Sequence, residues 1–279
     1  MRVANPLIKW PAEAIWEAIA PMLPGFTVEV LPEINSTNTE LMRRAKSGCI
    51  EPILLVAEKQ TAGRGRLGRE WHDLAERDDT LPALTFSLGL PLSPVDWSGL
   101  SLAVGLSIAQ SLHTNIGLKW PNDLWLRDRK LAGILIETCA VGQARYAVIG
   151  IGINITKPAA NLNLRAESLR RAPAWLQELM PQITAPDTLL RIAPVLMQTL
   201  LTFSEQGFAP FQARFNQRDV LRNRQIIVDD NFAGNNENEK ALAKTTGTAL
   251  GVNSKGELEI QTEQGKTAIN SSEVSVKPL

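Results

Sequence analysis

The sequence predicts an α+β protein: a mixed, mainly antiparallel sheet with helices packed on one face, followed by a small C-terminal β barrel. Amphipathic helices come first, and from Leu118 the hydrophobic pattern changes to three successive strands. After Arg224 the chain reads as short strands separated by turns. With 279 residues, 44% of them apolar, the chain has room for one large and one small domain, which we expect at residues 1–222 and 223–279.

The first hundred residues alternate between helix and strand signals. Amphipathic helices are predicted over Ala12 to Met22 and over Thr37 to Ala45, where Thr37 and Glu40 match a capping box. Strands are predicted over Phe26 to Leu31 and along the apolar run Ile53 to Ala57. These elements begin the sheet and its helical layer.

The middle of the chain predicts an antiparallel meander behind a buried helix. An apolar helix is expected from Ser98, which would cap it, to Asn115. Strands are then predicted over Leu118 to Leu126, Lys130 to Thr138 and Arg145 to Ile155, the first two joined at Arg127-Asp128-Arg129. Consecutive strands with short connections pair antiparallel, so this stretch supplies most of the sheet.

The last part of the chain changes character twice. A long irregular segment follows Ile155, and two helices are predicted over Thr188 to Glu205 and Phe208 to Asn216. The short strands of the barrel come next, with a flexible hairpin tip at Asp229 to Lys240. We predict these strands at Gln225 to Val228, Gly247 to Val252, Leu258 to Thr262 and Val274 to Val276.

Composition excludes several classes of protein. The formal net charge is zero, so bulk electrostatics favours neither DNA nor an anionic membrane as a partner. Cys49 and Cys139 do not make a disulfide framework, and the first residues lack the apolar segment of a signal peptide. The simplest expectation is a cytoplasmic protein that binds no DNA and no membrane.

The segment from Gln60 to Trp71 is the most informative motif. It places Arg64, Arg66 and Arg69 on a backbone with three glycines, directly after an apolar run. Its glycines match the G-x-G-x-x-G dinucleotide fingerprint, but no amphipathic helix follows, so the phosphate-binding helix of that fold is missing. Arginine side chains must supply the charge, which predicts an anion site. A solvated basic hairpin tip is the alternative interpretation.

Two further motifs carry candidate chemistry. Lys119 and Lys130 flank Asp123 across a predicted hairpin, although Pro121-Asn122-Asp123 alone would indicate only a turn. In Gly150-Ile151-Gly152-Ile153-Asn154, small residues in a strand allow a ligand to approach the backbone, or they mark a bulge.

Taken in order, these motifs resemble those of the biotin protein ligase family across residues 36 to 155. The matching motifs are Ser36-Thr37-Asn38, Gln60 to Trp71, Lys119 to Leu124 with Lys130 to Leu135, and Gly150 to Asn154. The resemblance implies a class II synthetase-like catalytic domain and an SH3-like C-terminal module. It also implies an enzyme that joins biotin to ATP as biotinyl-5′-AMP and then transfers biotin to one lysine of a biotin carboxyl carrier protein.

The resemblance also implies roles for individual residues. Biotin is expected to contact Ser36, Thr37, Asn38, Gln60, Gly63, Arg64, Gly65, Arg66, Lys130 and Gly133. ATP is expected to contact Arg66, Arg69, Trp71, Lys119, Asn122, Asp123 and Asn154. Catalysis is assigned to Arg66, Lys119, Asp123 and Lys130, and Mg²⁺ accompanies ATP with Asp123 as its candidate protein ligand.

The chain departs from the family pattern in the charged segment His72 to Asp79, where relatives have a short turn. Only 35 residues precede Ser36, which is the form expected without an N-terminal DNA-binding domain. The oligomeric state stays open, with a homodimer as one candidate, and so does the identity of the carrier protein. Two alternatives also stay open: a lipoate or octanoate ligase or transferase of related fold, and a non-catalytic sensor of biotin or a nucleotide.

Overall fold

Seven strands form the main sheet. The computed structural model describes residues 8–71, 81–157, 172–230, 244–270 and 274–279. The strands of the main sheet are β1 (Thr27–Ile34), β2 (Ile53–Gln60), β3 (Ala83–Pro91), β4 (Gly117–Lys119), β5 (Asp123–Leu126), β6 (Arg129–Val141) and β7 (Ala144–Asn154). Their order is β1-β2-β3-β7-β6-β5-β4. β1 and β2 are parallel and every other neighbouring pair is antiparallel, which confirms the mixed, mainly antiparallel sheet.

Helices lie on both faces of this sheet. They are α1 (Ala12–Ile19), α2 (Thr37–Lys46), α3 (Leu100–Leu112), α4 (Ala185–Gln206) and α5 (Gln212–Arg218). The main core joins α1, α3 and α4 to alternate strand residues such as Leu54 and Phe86. Leu41 and Ala45 of α2 instead pack with Leu55 and Val148, which point to the opposite side of the strands. Most of the helical layer, α1, α3 and α4, therefore packs on one face of the sheet as expected. The short helix α2 packs on the opposite face.

Some boundaries differ from the sequence prediction for identifiable reasons. The single strand predicted over Leu118 to Leu126 is wrong, because the chain reverses after Lys119 and forms the β4–β5 hairpin. The helix predicted from Thr37 has Ser36 as its N-cap, whose Oγ accepts from the Thr39 amide, so the Thr37–Glu40 capping box is also wrong.

Two further differences concern α3 and the strand before it. The N-cap of α3 is Gly99 at φ 80°, and no side chain caps the helix, so the Ser98 cap is wrong. β3, which lies between β2 and β7 and is buried along nearly its whole length, was not predicted. A strand buried on both faces shows no alternation of polar and apolar residues, so the pattern gives little signal.

A second sheet confirms the barrel-like C-terminal module. Its five strands are antiparallel in the order β11-β10-β9-β8-β12. Their bounds are β8 (Gln225–Asp230), β9 (Lys244–Val252), β10 (Leu258–Thr262), β11 (Gly265–Ile269) and β12 (Val274–Pro278), of which β11 was not predicted. The charged segment 72–79, most of the irregular segment after Ile155 and most of the hairpin tip 229–240 lie outside the described residues. Across the described ranges, no helix combines the length and apolarity needed to cross a bilayer.

Candidate active site

Two glycines of β7 create the floor of the site on the face that carries α2. Gly150 and Gly152 alternate with isoleucines that are buried in the main core on the other face. A Cβ on Gly150 would lie 2.1 Å from Oδ1 of Asn38, and one on Gly152 would lie 2.4 Å from the indole of Trp71. Both glycines pair in register with β3 and β6, so they do not mark a bulge. They leave room for the side chains of Asn38 and Trp71 to rest on the strand.

The start of α2 contributes the polar end of the site. The amide of Thr37 donates to Oε1 of Gln60 at 2.9 Å, because the first N–H groups of a helix have no partner within it. Ser87 of β3 lies between the two residues that follow the N-cap. Its Oγ is 2.7 Å from Oγ1 of Thr37 and donates to Oδ1 of Asn38 at 2.6 Å. Ser36, Thr37, Asn38 and Ser87 are all buried, so this network is rigid.

The segment Gly63 to Trp71, here called the arginine loop, folds as a short hairpin. Its amides close it, with Trp71 N donating to Gly63 O at 2.9 Å and Gly65 N to Arg69 O at 2.7 Å. A Cβ on Gly63 would lie 2.4 Å from the carbonyl oxygen of Trp71, and Gly68 adopts φ +69°. Two of the glycines are thus required by the backbone. Gly68 is followed by Arg69 in an extended conformation and by Glu70, which bridges to Arg64, so the last glycine of the motif does not open a helix. This confirms that the dinucleotide-binding reading fails.

The three arginines of the loop have different environments. Arg64 forms an ion pair with Glu137 on β6, with 2.9 Å between Nη2 and Oε1. Arg66 points into the site, where its Nη1 donates to Oδ1 of Asn122 at 3.3 Å. Burial lowers the pKa of the Arg66 guanidinium, but an arginine remains charged at neutral pH. Arg69 is exposed at the rim.

Lysines from two strands meet the arginine loop from the other side. Nζ of Lys130 is 2.8 Å from Oδ1 of Asp123 and 5.9 Å from the ring centre of Trp71. Lys119 lies 5.0 Å over the ring of Trp125. Burial lowers the pKa of Lys119, and the charge of Asp123 opposes that shift. Lys119 and Lys130 therefore flank Asp123 on adjacent strands, and all three line the same cavity as Arg66.

These groups surround two adjoining cavities. The first encloses about 460 Å³, including space open to solvent, and its lining includes most of the predicted biotin contacts: Ser36, Thr37, Asn38, Gln60, Arg64, Gly65, Arg66, Lys130 and Gly133. The second encloses about 610 Å³, and its lining includes Arg66, Arg69, Trp71, Lys119, Asn122, Asp123 and Lys130. Arg66, Trp71, Asn122 and Lys130 line both cavities. Gly63 supports the loop without lining the first cavity.

One predicted residue is placed elsewhere. Asn154 lines neither cavity, and its Nδ2 donates to the carbonyl of Ala174 at 3.0 Å. The amide of Ala174 in turn donates to the carbonyl of Lys130 at 2.8 Å. Asn154 therefore contacts the segment that borders the backbone of Lys130.

Three residues of the site were missed from sequence. Ser87 joins the polar network, Glu137 holds Arg64, and Val276 of β12 lines the second cavity. Ser87 and Glu137 lie on strands, where only three-dimensional pairing brings them to the site. The side chain of Val276 comes from the C-terminal module, and an isolated valine in a strand carries no functional signal.

Comparison with known proteins connects this geometry to a family. Residues 30–154 match the biotin/lipoate A/B protein ligase family. The chain is 34% identical to the bifunctional ligase/repressor BirA of Salmonella typhimurium, over 77% of the chain and 67% of the relative. It is 40% identical to a biotin–(acetyl-CoA-carboxylase) ligase of Mycobacterium tuberculosis, over 51% of the chain and 54% of the relative. The chain thus spans about half to two thirds of the length of these relatives.

A solved structure is similar along almost its whole length. It is the biotin protein ligase from Aquifex aeolicus in complex with biotin and ATP, which is 27% identical to this chain with a TM-score of 0.68. The match covers 90% of this chain and 99% of that one. The similarity therefore includes both sheets.

Proposed function

Because the chain belongs to the biotin/lipoate A/B protein ligase family, we propose that it activates biotin with ATP to biotinyl-5′-AMP and transfers biotin to one lysine of a biotin carboxyl carrier protein. The observation that carries this proposal is the pair of adjoining cavities that share Arg66 and Lys130. An adenylating enzyme needs two anions, a carboxylate and a phosphate, to meet between shared cations. The relatives from Mycobacterium tuberculosis and Aquifex aeolicus are named as biotin ligases.

The first cavity suits a small bicyclic urea with an acidic tail. Its inner end is polar and rigid, and the buried hydroxyls and amides of Ser36, Thr37 and Asn38 can exchange hydrogen bonds with a ureido group. The glycine floor lets Asn38 and the indole of Trp71 lie against the sheet, where both side chains line this cavity. The outer end holds Arg66 and Lys130, which can receive a carboxylate.

The second cavity suits the nucleotide. The attack of one carboxylate on the α-phosphate brings two negative charges together, and two unit charges about 4 Å apart repel by roughly 4 kcal/mol at an effective dielectric near 20. Arg66, Lys119 and Lys130 stabilise that charge, and the substrate carboxylate is itself the nucleophile. The carboxylate oxygen forms a bond to phosphorus while the bond to pyrophosphate breaks, so no protein nucleophile is required.

The donor set fits a Mg²⁺ ion carried largely by the phosphates. Within the described ranges no three His, Cys, Asp or Glu side chains gather as a metal site. Asp123 and Glu70 line the second cavity, and Mg²⁺ in nucleotide enzymes commonly uses one or two protein carboxylates together with substrate phosphates and water. We assign Asp123 as the protein ligand. When bound, the ion would neutralise phosphate charge.

Transfer of biotin to the carrier takes place in the same two cavities. The acceptor amine of the carrier attacks the carbonyl carbon of the mixed anhydride, a C–N bond forms, AMP leaves with the electrons of the broken C–O bond, and the nitrogen releases its extra proton to water. Asp123, held 2.8 Å from Lys130, can position the incoming ammonium before it loses its proton. We also propose a cytoplasmic site of action, since Cys49 and Cys139 are free thiols. We propose no DNA or membrane partner, since the formal net charge is zero.

Pyrophosphate exchange tests the proposal. The purified chain should exchange labelled pyrophosphate into ATP with biotin present, and should not do so with lipoate or octanoate. Exchange with lipoate instead would identify the related ligase. Binding of biotin without exchange or transfer to a carrier would identify a non-catalytic sensor.

A further inference from the structure

Glu137 connects two parts of the site without lining either cavity. Its Oε1 accepts from Nη2 of Arg64 at 2.9 Å, and its Oε2 accepts from Nη1 of Arg64 at 3.3 Å. The same Oε2 accepts from Nδ2 of Asn38 at 2.9 Å. One carboxylate on β6 therefore holds both the arginine loop and a buried amide of the predicted biotin cavity.

The orientation of Asn38 makes an acceptor at this place necessary. Its Oδ1 is taken by Ser87 at 2.6 Å, so its NH₂ group must point the other way, toward the Leu135 carbonyl at 3.3 Å and Glu137. Gly150 provides the space for this side chain. A buried amide that is bonded at both ends holds one orientation, which fixes what it can present to a ligand.

The contact with Arg64 has the character of a reversible latch. The side chain of Arg64 is 48% exposed and that of Glu137 is 23% exposed, so water screens part of the attraction. The fork geometry nevertheless makes two charge-assisted bonds. Such a pair is strong enough to favour a closed loop and weak enough to release it.

We propose that Glu137 is a positioning residue that latches the arginine loop closed against the strand on which it also holds the amide of Asn38. One consequence of the latch rests on the proposed function: the closed loop would retain biotinyl-5′-AMP until the carrier protein binds. Opening of the loop breaks the Arg64–Glu137 pair, and closure restores it.

Hydrogen exchange of the ligand-free protein tests the latch independently of activity. The amides of Gly65 and Trp71 are bonded within the loop, so their exchange reports opening. Glu137→Gln keeps the size and removes the charge, and we expect about tenfold faster exchange of these amides, the effect of losing one charged hydrogen-bonded pair. Glu33→Gln is the matched control, because it removes the charge of an exposed pair with Lys59 on the same sheet. It should leave the exchange unchanged.

A double-mutant cycle separates the latch from a general loss of structure. Arg64→Gln should match Glu137→Gln, and the double variant should open no faster than either. Additive effects, or wild-type exchange in Glu137→Gln, would overturn the latch.

The lifetime of the adenylate on the enzyme tests the consequence for the reaction. Glu137→Gln should shorten it about tenfold relative to wild type and Glu33→Gln, whereas an unchanged lifetime would overturn the role of the latch in retention. If the wild-type chain forms no adenylate while Glu137→Gln still opens the loop, the proposed function fails and the latch stands.

Discussion

Lys130 lies where the two cavities meet, with its ammonium 2.8 Å from Asp123. A compact charge on a flexible stem can follow negative charge from carboxylate to phosphorus and on to the mixed anhydride. Lys130→Ala should therefore reduce adenylate formation by about 10²–10³, a loss typical of one preorganised charge-stabilising donor. Pyrophosphate exchange at saturating biotin and ATP measures this.

The controls for Lys130 separate its charge from its shape. Lys130→Arg should restore little of the activity, because the planar guanidinium of arginine cannot follow the movement of negative charge from the carboxylate to phosphorus. Lys59→Ala removes another paired strand lysine, which lines neither cavity and lies in an exposed pair with Glu33, and should retain activity. Near-wild-type exchange in Lys130→Ala would show that Lys130 is only a surface residue.

Asp219 is a second residue with an unusual environment, at the end of α5. Burial raises the pKa of its carboxyl to about 6, against the opposing effects of the Leu221 amide and the Arg222 charge. Among the described residues its buried Oδ2 has no hydrogen-bond partner, while Oδ1 accepts from Leu221. The folded state therefore holds a proton that the unfolded chain has released between about pH 4 and 6, so stability falls as the pH rises through this window.

Asp219→Asn removes that penalty while it keeps the acceptor for Leu221. We expect the variant to be more stable than wild type by about 2–3 kcal/mol at pH 7, and no more stable below pH 4, because a shift of one pKa unit is 1.36 kcal/mol. Denaturant unfolding across pH 4 to 8 measures the difference. Asp128→Asn, at an exposed carboxylate paired with Arg224, is the control. A pH-independent difference would contradict this account.

Glycine content and charge predict how the arginine loop behaves. Its glycines raise the conformational entropy of the open state, and its arginines repel one another until an anion neutralises them. Trypsin should therefore cut at Arg64, Arg66 or Arg69 in the free protein and much more slowly with biotin and ATP together. Cleavage at Lys255, in the exposed turn between β9 and β10, should not change. Equal rates at the loop with and without ligands would contradict the prediction.

The arginine loop also shows what sequence can predict at the level of elements. The prediction that it binds an anion follows from residue types and spacing, and in the structure Arg66, Lys119, Asp123 and Lys130 line one cavity. Its latch could not be predicted, because Glu137 is one of 29 acidic residues in the chain and no local pattern distinguishes it. Likewise, Ser87 reaches the site only because β3 pairs with Gly150. Pairing between distant strands leaves no local pattern.

The two sheets are less separate in the structure than their sequence patterns suggest. Apolar residues of the C-terminal strands, such as Ile226 and Ile260, belong to the same core as those of the main sheet. Trp120, fully buried in the turn of the β4–β5 hairpin, donates from Nε1 to the carbonyl of Gly256 at 3.0 Å. Val276 then reaches the second cavity. The C-terminal module therefore completes the predicted nucleotide side of the site.

This connection predicts a selective effect of Trp120→Phe. The substitution keeps an aromatic ring in the core but leaves the Gly256 carbonyl unsatisfied, which costs about 1–3 kcal/mol. Pro121, which follows Trp120 and lines the second cavity but not the first, loses part of its support against the C-terminal module. We expect KM for ATP to rise several-fold, with KM for biotin nearly unchanged, because the polar end of the first cavity rests on α2 and β3. Pyrophosphate exchange titrated with each substrate measures both constants.

Trp10→Phe is the matched control, since it removes an indole bond of similar length, 2.9 Å from Nε1 to Glu58 on β2. That bond joins the N-terminal segment to the sheet and does not involve the C-terminal module, so both KM values should stay near those of wild type. Equal increases for ATP and biotin in Trp120→Phe would show a general loss of structure. If Trp120→Phe behaved like Trp10→Phe, the C-terminal module would have no part in nucleotide binding through this contact, and Val276 would only border the cavity.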